Sequence, residues 1–531
     1  MKLREALSAL SKSSPYAVTT TQKANFPELD TLKRYLFVET DVERVFKKRI
    51  QSLEPNQILF LCGSSGDGKS EILTRYIRQY SERIDFHLDA THSFCPKKTA
   101  VDTLDNVFSQ HKENGRPLAV GINIGMLGNY AEEGSEQHND IRQTIKQFLN
   151  TKNADQHNCF YLDFESFPKF DLSSGIRKSE FLKQLLTKIT ANTDENPIFQ
   201  MFKQELGIGD ARLCTNYQLL SFTQVQDVII DLLLKVRLEK DQFITARSLL
   251  DFIHVLLAGP GYIFDNLFND SNNELGIKIA DFDPCAIRSK SLDMFILQRQ
   301  LELPSKEFEQ FSNDLLEYEI KYDSKTITEY SLIRLFYLIK DLDISNNFHH
   351  KFRQDFNDSL IKNYANFWNL NSNYEGKITE KVELKGFYKN VVLASISCYA
   401  NRNARDLHKD EFFISAHGNW QLTAELELSV DYAAIKKSKE NKIGYFIAHI
   451  KVADKQLKPI PISINLLNLM YRIVRGYRPN KHDKNTVVLL DEIVDQILEI
   501  ANASCTLYLH ADNFRIKIKK IDEYDIEVSG I

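Results

Sequence analysis

Ile58-Leu59-Phe60-Leu61-Cys62-Gly63-Ser64-Ser65-Gly66-Asp67-Gly68-Lys69-Ser70 is the stretch from which the chain is read. Five consecutive apolar residues predict a strand buried on both faces. The next eight match GxxxxGK[ST] in full, the pattern of a phosphate-binding loop. Its glycines let successive backbone N–H groups turn inward around a polyphosphate, Lys69 carries a point charge to the β and γ phosphates, and Ser70 offers a hydroxyl to Mg2+. The helix expected after the loop adds its N-terminal dipole to the same anion. With glycine near 7% of residues, such a match arises by chance about 0.02 times in a chain of this length. The bland alternative is an exposed glycine-rich turn, and the strand before and helix after argue against it.

Outward from the loop the pattern alternates. Strands are expected at Phe86 to Asp89, Leu118 to Asn123 and Cys159 to Asp163, with helices at Glu71 to Ile84, Val101 to His111 and Ile141 to Leu149. This alternation predicts a mostly parallel sheet covered on both faces. Upstream, Thr40 and Glu43 form a capping-box pattern before a helix with Val42, Val45, Phe46 and Ile50 on one face. From Ser174 to Lys340 the period is helical, as in Val225-Val228-Ile229-Leu232 and Leu249-Leu250-Ile253-Leu256. The last third returns to strands (Phe412 to Ser415, Thr423 to Val430, Gly444 to Val452, Thr506 to Lys519) around helices at Asn465 to Arg475 and Thr486 to Ala501. The expected architecture is an α/β P-loop NTPase core of AAA-like layout with a helical lid region and a C-terminal α+β domain. Its segments are an N-terminal helical segment (1–56), the core (57–173), the lid or linker (174–345) and a domain for partner or DNA contact (346–531).

Composition agrees with a multi-domain globular protein. The 531 residues are 43% hydrophobic and 26% charged, with 20 Gly and 13 Pro, which excludes collagen-like and largely disordered chains. A net charge of -5 leaves no general positive field for coating nucleic acid, so a polyanion must be met by a local patch or through a partner. The seven cysteines are scattered without a CxxC pair, which fits a reducing compartment. The charged N-terminus does not read as a signal peptide, and the longest apolar stretch, Phe252 to Phe264, is interrupted by Gly259-Pro260-Gly261. A cytoplasmic location without membrane contact is expected.

Other candidate groups end strands or open helices. Asp89 is a magnesium-binding or water-ordering carboxylate, or else a turn cap; no glutamate follows it as a water-activating acid. Asn123 orients a water or meets the γ-phosphate, or caps its strand end; an amide takes up no proton. Asp163 is a third, weaker strand-end candidate. Arg247, in the first turn of a helix capped by Thr245, is a lid arginine sensing the γ-phosphate or a surface arginine. Two decoys are set aside. Val487 to Glu492 imitates a Walker B strand, but Leu490, Ile493, Val494 and Ile497 form the apolar face of a helix whose other side carries Asp491, Asp495 and Glu499. Asn480-Lys481-His482-Asp483 imitates a guanine-reading motif far from the core, so ATP is the expected base. Arg472, Arg475, Arg478, Lys481 and Lys484 recur every three residues with Tyr471 and Tyr477 interleaved, a stripe that tracks a phosphate backbone or closes a helix end. Arg472, Arg475 and Arg478 are its candidate DNA contacts. His349-His350 reads as a surface feature, not a ligand pair.

Behind the loop come Asp89-Ala90-Thr91-His92-Ser93, Pro96, Thr103-Leu104-Asp105 and Gly121-Ile122-Asn123-Ile124-Gly125-Met126-Leu127-Gly128-Asn129-Tyr130. This series resembles the F components (DptF, also called DndF) of DNA phosphorothioation-dependent restriction systems, over essentially the whole chain by length and order of blocks. The resemblance implies an ATP- and Mg2+-binding subunit acting with DptG- and DptH-type partners to restrict DNA that lacks the sulfur modification. It carries Gly63 to Ser70 over as the nucleotide loop. The missing Asp-Glu pair leaves two expectations: a working ATPase, or a nucleotide-binding scaffold with little hydrolysis. No nuclease motif is evident.

Overall fold

β1 (Ile58–Cys62) is the central strand of a five-stranded sheet. In the computed structural model, which describes all residues except 12–26, 91–97, 153–154, 173–178, 270–272, 405–406, 409, 439–441, 512–513, 522–524 and 531, β2 (Asp85–His87), β3 (Leu118–Ile122), β4 (Asp155–Gln156) and β5 (Cys159–Asp163) complete that sheet in the order β2-β3-β1-β5-β4. β1 runs parallel to both neighbours, with Cys62 opposite Ile122 on one side and Asp163 on the other. β2 is parallel to β3, and only the two-residue β4 is antiparallel.

The continuous apolar run of β1 follows from burial on both faces. Ile58, Phe60 and Cys62 enter one core with Phe108, Tyr130, Ile145 and Phe148, supplied by helices Ala100–Asn114, Ile124–Glu133 and Asn139–Thr151. There Tyr161 stacks between Phe60 and Phe148, at ring distances of 4.9 and 4.3 Å. Leu59 and Leu61 enter the opposite core with Phe46, Ile72, Leu73 and Tyr76 from helices Asp41–Gln51 and Lys69–Tyr80. Truncating Phe60 to Ala would cost about 3–5 kcal/mol of stability on the scale of aromatic core deletions.

The chain forms two compact units. The first comprises Met1–Lys169, Ser179–Val236 and Gln242–Asn357; the second comprises Phe170–Lys178, Arg237–Asp241 and Asp358–Ile531. Between residues 174 and 345 the described residues of the first unit form helices and turns with no strand, including Glu180–Thr190, Thr223–Glu239 and Ala246–Ala258. The second unit opens with helices Ser359–Ser372, Ile378–Phe387 and Ala394–Ala400. It then builds an antiparallel sheet from β6 (Glu411–His417), β7 (Trp420–Glu425), β13 (Thr506–Ala511), β14 (Phe514–Lys520) and β15 (Ile526–Gly530), in the order β15-β14-β13-β7-β6. Smaller sheets contain β8 (Leu428–Val430), β9 (Tyr445–Ala448), β10 (Ile450–Val452), β11 (Lys455–Gln456) and β12 (Ile460–Ser463). The molecule is therefore mixed α/β, with a parallel sheet first and an antiparallel sheet last. Among the described residues no helix is long and apolar enough to cross a membrane.

Several expectations are corrected. Thr423 to Val430 is two strands: the Leu426 N–H bonds the Asp410 carbonyl, and β7 and β8 join different sheets. Gly444 to Val452 breaks at His449, whose carbonyl accepts from the Asp431 N–H. Thr506 to Lys519 folds back as the hairpin β13-β14. Val45 is exposed, beside the buried stripe formed by Val42, Phe46 and Ile50. His349 is fully buried, with Nε2 2.8 Å from the Leu342 carbonyl, and is no surface feature.

Candidate functional site

The loop Gly63 to Gly68 leaves the carboxyl end of β1, where the chain has crossed to β2 and β3 on one side and later reaches β5 on the other. In open α/β sheets the crevice at such a reversal of strand order is where ligands bind. The Gly63 N–H bonds the Ile122 carbonyl at 3.3 Å, tying the loop to β3. Gly66 and Gly68 have φ of 85° and 99°, which side-chain-bearing residues rarely adopt. Gly68 caps helix Lys69–Tyr80 without a side chain, so the first-turn N–H groups and the positive dipole end face the loop's concavity with no capping carboxylate.

Lys69 Nζ donates to the carbonyls of Ser64 (2.7 Å) and Gly63 (3.1 Å). Burial pulls its pKa down, while the carboxylates of Asp67 and Asp89 oppose that shift. Asp67 is buried: its carboxylate accepts from the Ser64 N–H at 2.8 Å and pairs with Lys169 Nζ at 3.3 Å. Nothing local in the sequence marked Lys169, which reaches Asp67 from beyond β5, past the 3₁₀ turn Phe164–Ser166. The Ser70 hydroxyl donates to the Leu88 carbonyl at 3.3 Å, beside Asp89. Strand pairing stops at His87, so Asp89 lies two residues past the end of β2 and not at it; the next N–H, of Ala90, bonds the Gly121 carbonyl. Lys69, Ser70 and Asp89 therefore gather at one place.

Asn123 follows β3 directly, and its Oδ1 accepts from the Met126 N–H at 2.6 Å, capping helix Ile124–Glu133. The cap occupies the carbonyl oxygen and leaves the amide NH2 as the group with which this side chain can meet an acceptor. Asp163, opposite Cys62 in β5, is buried with its pKa raised, chiefly by burial. Its Oδ1 caps the Glu165 N–H at 3.0 Å, a structural use of the carboxylate.

The helical segment also reaches the loop. Thr245 and Ser248 cap helix Ala246–Ala258 reciprocally, and the Arg247 N–H donates to the Gly66 carbonyl at 3.1 Å. A Cβ on Gly66 would lie 3.1 Å from the Arg247 Cβ and 3.2 Å from the Thr245 hydroxyl. Arg247 is half-buried, and burial lowers its guanidinium pKa against the favourable charge of Asp251. The contact to the loop thus includes the arginine's main chain, a connection that sequence spacing does not reveal.

No model of a known protein family matches this chain, and no curated protein matches it. Residues 91–97, which include part of the series carrying the resemblance to restriction F components, lie outside the described residues. Among the described residues no group of three His, Cys, Asp or Glu side chains is arranged to hold a metal ion.

Arg472, Arg475 and Arg478 belong to the second unit, at and after the end of helix Ile464–Val474. Arg472 is engaged internally, 3.1 Å from Asp483 and stacked 3.5 Å from the centre of the Tyr477 ring. Arg475 is the exposed C-cap, followed by Gly476 with φ of 90°, and Arg478 is exposed. Asn480 to Asp483 forms a capped 3₁₀ turn in this unit, and Asp491 lies in helix Lys484–Asn502. Both decoys are thus structural elements of the second unit.

Proposed function

We propose that the chain is a P-loop subunit of AAA-like layout that binds ATP with Mg2+ at Gly63–Ser70. The carrying observation is the complete octapeptide seated between a buried parallel strand and the uncapped N-terminus of a 12-residue helix, with Lys69, Ser70 and Asp89 side by side. Those residues fit the group. Backbone N–H groups of Gly66 to Ser70 would hold the β-phosphate, and Lys69 would turn from its carbonyl partners to the β and γ oxygens. Ser70 and Asp89 are the oxygen donors available to the cation, which when bound supplies neutralisation of phosphate charge. Asn123 donates from its amide at the γ-phosphate position, and Arg247 adds a guanidinium from the helical lid. Asp163 is left to its structural cap.

The resemblance to restriction F components supports the wider reading. ATP binding would set the helical segment against the loop through the Arg247–Gly66 contact and so gate assembly with DptG- and DptH-type partners on unmodified DNA. Ala90 follows Asp89 where a water-activating acid would stand, which favours a second reading as a nucleotide-dependent scaffold with little hydrolysis. Phosphate release by the purified protein, with and without DNA and partners and beside Lys69→Ala, separates the two. Turnover lost in Lys69→Ala marks the ATPase. Wild-type ATP binding without turnover in any mixture, together with restriction lost in cells carrying Lys69→Ala, marks the scaffold.

A further inference from the structure

The second unit contains a cavity of about 870 Å³ lined by two segments distant in sequence, Cys398 to Ala404 and Ile473 to Asp491. Two triads of the same composition frame it. In one, which joins the two segments, Arg402 stacks 4.0 Å from the Tyr399 ring centre, and both the guanidinium and the phenol hydroxyl bond Asp491, at 3.3 and 2.7 Å. In the other, within the later segment and its helix, Arg472 stacks on Tyr477, and both bond Asp483, at 3.1 and 2.7 Å. Arginine stacked on a ring and fixed by a carboxylate is a pre-organised group. Asp483 Oδ2 also accepts from the Asn480 N–H at 2.9 Å, fixing the 3₁₀ turn Lys481–Asp483. Lys481 opens that turn and Lys484 opens helix Lys484–Asn502 directly after it, and both line the cavity.

The cavity's charge is lopsided. Arg402, Arg478, Lys481 and Lys484 line it against the single carboxylate of Asp491. Arg478, Lys481 and Lys484 form no ion pair among the described residues, and all three are exposed. Between these cations lies apolar surface from Val474 and Val488, 40% and 50% exposed. On a chain of net charge -5 this is a local positive site.

We propose that this cavity binds a short single strand of nucleic acid, with backbone phosphates on Arg478, Lys481 and Lys484 and a base lodged against Val474, Val488 and the tyrosine edges. Cations beside flat and apolar surface are the recurring composition of single-strand sites. A pocket of this volume takes a nucleotide and not the width of a duplex, and an acidic peptide is the rival occupant that the competition below excludes. The site lies wholly in the second unit and stands whether or not Gly63–Ser70 binds ATP.

The test is fluorescence anisotropy of the full chain with labelled single strands of about 12 nucleotides, as DNA and as RNA, against salt from about 50 to 200 mM. Either sugar supports the site. Binding should weaken as salt rises, and Arg478→Glu/Lys481→Glu/Lys484→Glu should lose at least tenfold in affinity and flatten the log–log salt slope by about 2, the release expected from three phosphate contacts. Lys436→Glu/Lys437→Glu, which reverses charge elsewhere in this unit, should bind as wild type. Unchanged thermal unfolding certifies the triple variant; if it unfolds, Arg478→Ala and Lys484→Ala singly should each lose a few-fold. Salt-independent or absent binding, an undiminished slope in the variants, preference for duplex, equal competition by polyglutamate, or an equal loss in Lys436→Glu/Lys437→Glu would each overturn the proposal.

Discussion

The glycine-rich loop and the C-terminal cavity are the two places proposed here to hold phosphate, and they differ in what the chain supplies. At the loop the proposed donors are mainly backbone N–H groups of one octapeptide, positioned by Gly66, Gly68 and a helix end. In the cavity they are the side chains of Arg478, Lys481 and Lys484, and the fold sets them facing a second segment some eighty residues earlier in the chain, which carries Arg402. A backbone site is written contiguously and is visible as a motif. A side-chain site shows in the sequence only as a spacing of cations, and its opposite wall emerges when the fold brings the parts together.

The difference sets how each region responds to substitution. At the loop, the largest stability effect should come from the support behind the backbone. Lys169→Met removes the ion pair of the buried Asp67 carboxylate and leaves it the Ser64 N–H bond and the nearby charge of Lys69, an expected loss of ~3 kcal/mol in urea unfolding of the first unit. Asp67→Asn in the same chain should restore most of it, and failure of that rescue would mean Lys169 acts elsewhere. Arg247 divides main-chain from side-chain function. Because its N–H makes the bond to Gly66, Arg247→Ala should leave ATP affinity within about threefold while slowing any turnover about tenfold. A comparable loss of affinity would assign binding to the guanidinium.

The first unit's stability should also depend on pH. Burial lowers the His349 pKa to about 4 from the usual histidine range. The unfolded chain then binds this proton at about pH 6.5 and the folded unit does not, so the stability contribution is constant above that pH and is lost progressively down to about pH 4. His87, His111 and His138 of the same unit shift in the same direction, also chiefly by burial. Urea midpoints at pH 7.5 and 5 should therefore fall for the first unit, and His349→Gln should flatten the fall by ~1–3 kcal/mol. An unchanged slope would mean that His349 titrates normally. The smallest expected effect is in the cavity, where Arg478→Ala alone should weaken single-strand binding about threefold, one exposed contact among several.

The core of the fold was legible where burial imposed a pattern. β1 and β5 fall at Ile58–Cys62 and Cys159–Asp163 as their apolar runs require. β2 was displaced by one to two residues because three residues carry little period. Helix Ile124–Glu133 leaves no clear sequence signal because Gly125 and Gly128 weaken its helical propensity; the Asn123 cap and Tyr130 in the core compensate. At the site, the motif named Gly63 to Ser70, whereas Lys169 and the main-chain contact of Arg247 depend on tertiary placement. The same holds for the stripe of cations. Its three-residue spacing was visible, but nothing in the sequence indicated that Asp483 engages Arg472, or that Arg402 joins the group from the other wall.

Calorimetric titration of MgATP into the full chain, with Lys69→Ala alongside, tests the central claim most directly. One saturable site in the wild type, and at least a hundredfold weaker binding in a variant that unfolds at the same temperature, is the expected result. Equal affinity in both proteins, or no binding by the wild type, would contradict the assignment of Gly63–Ser70 as the nucleotide site.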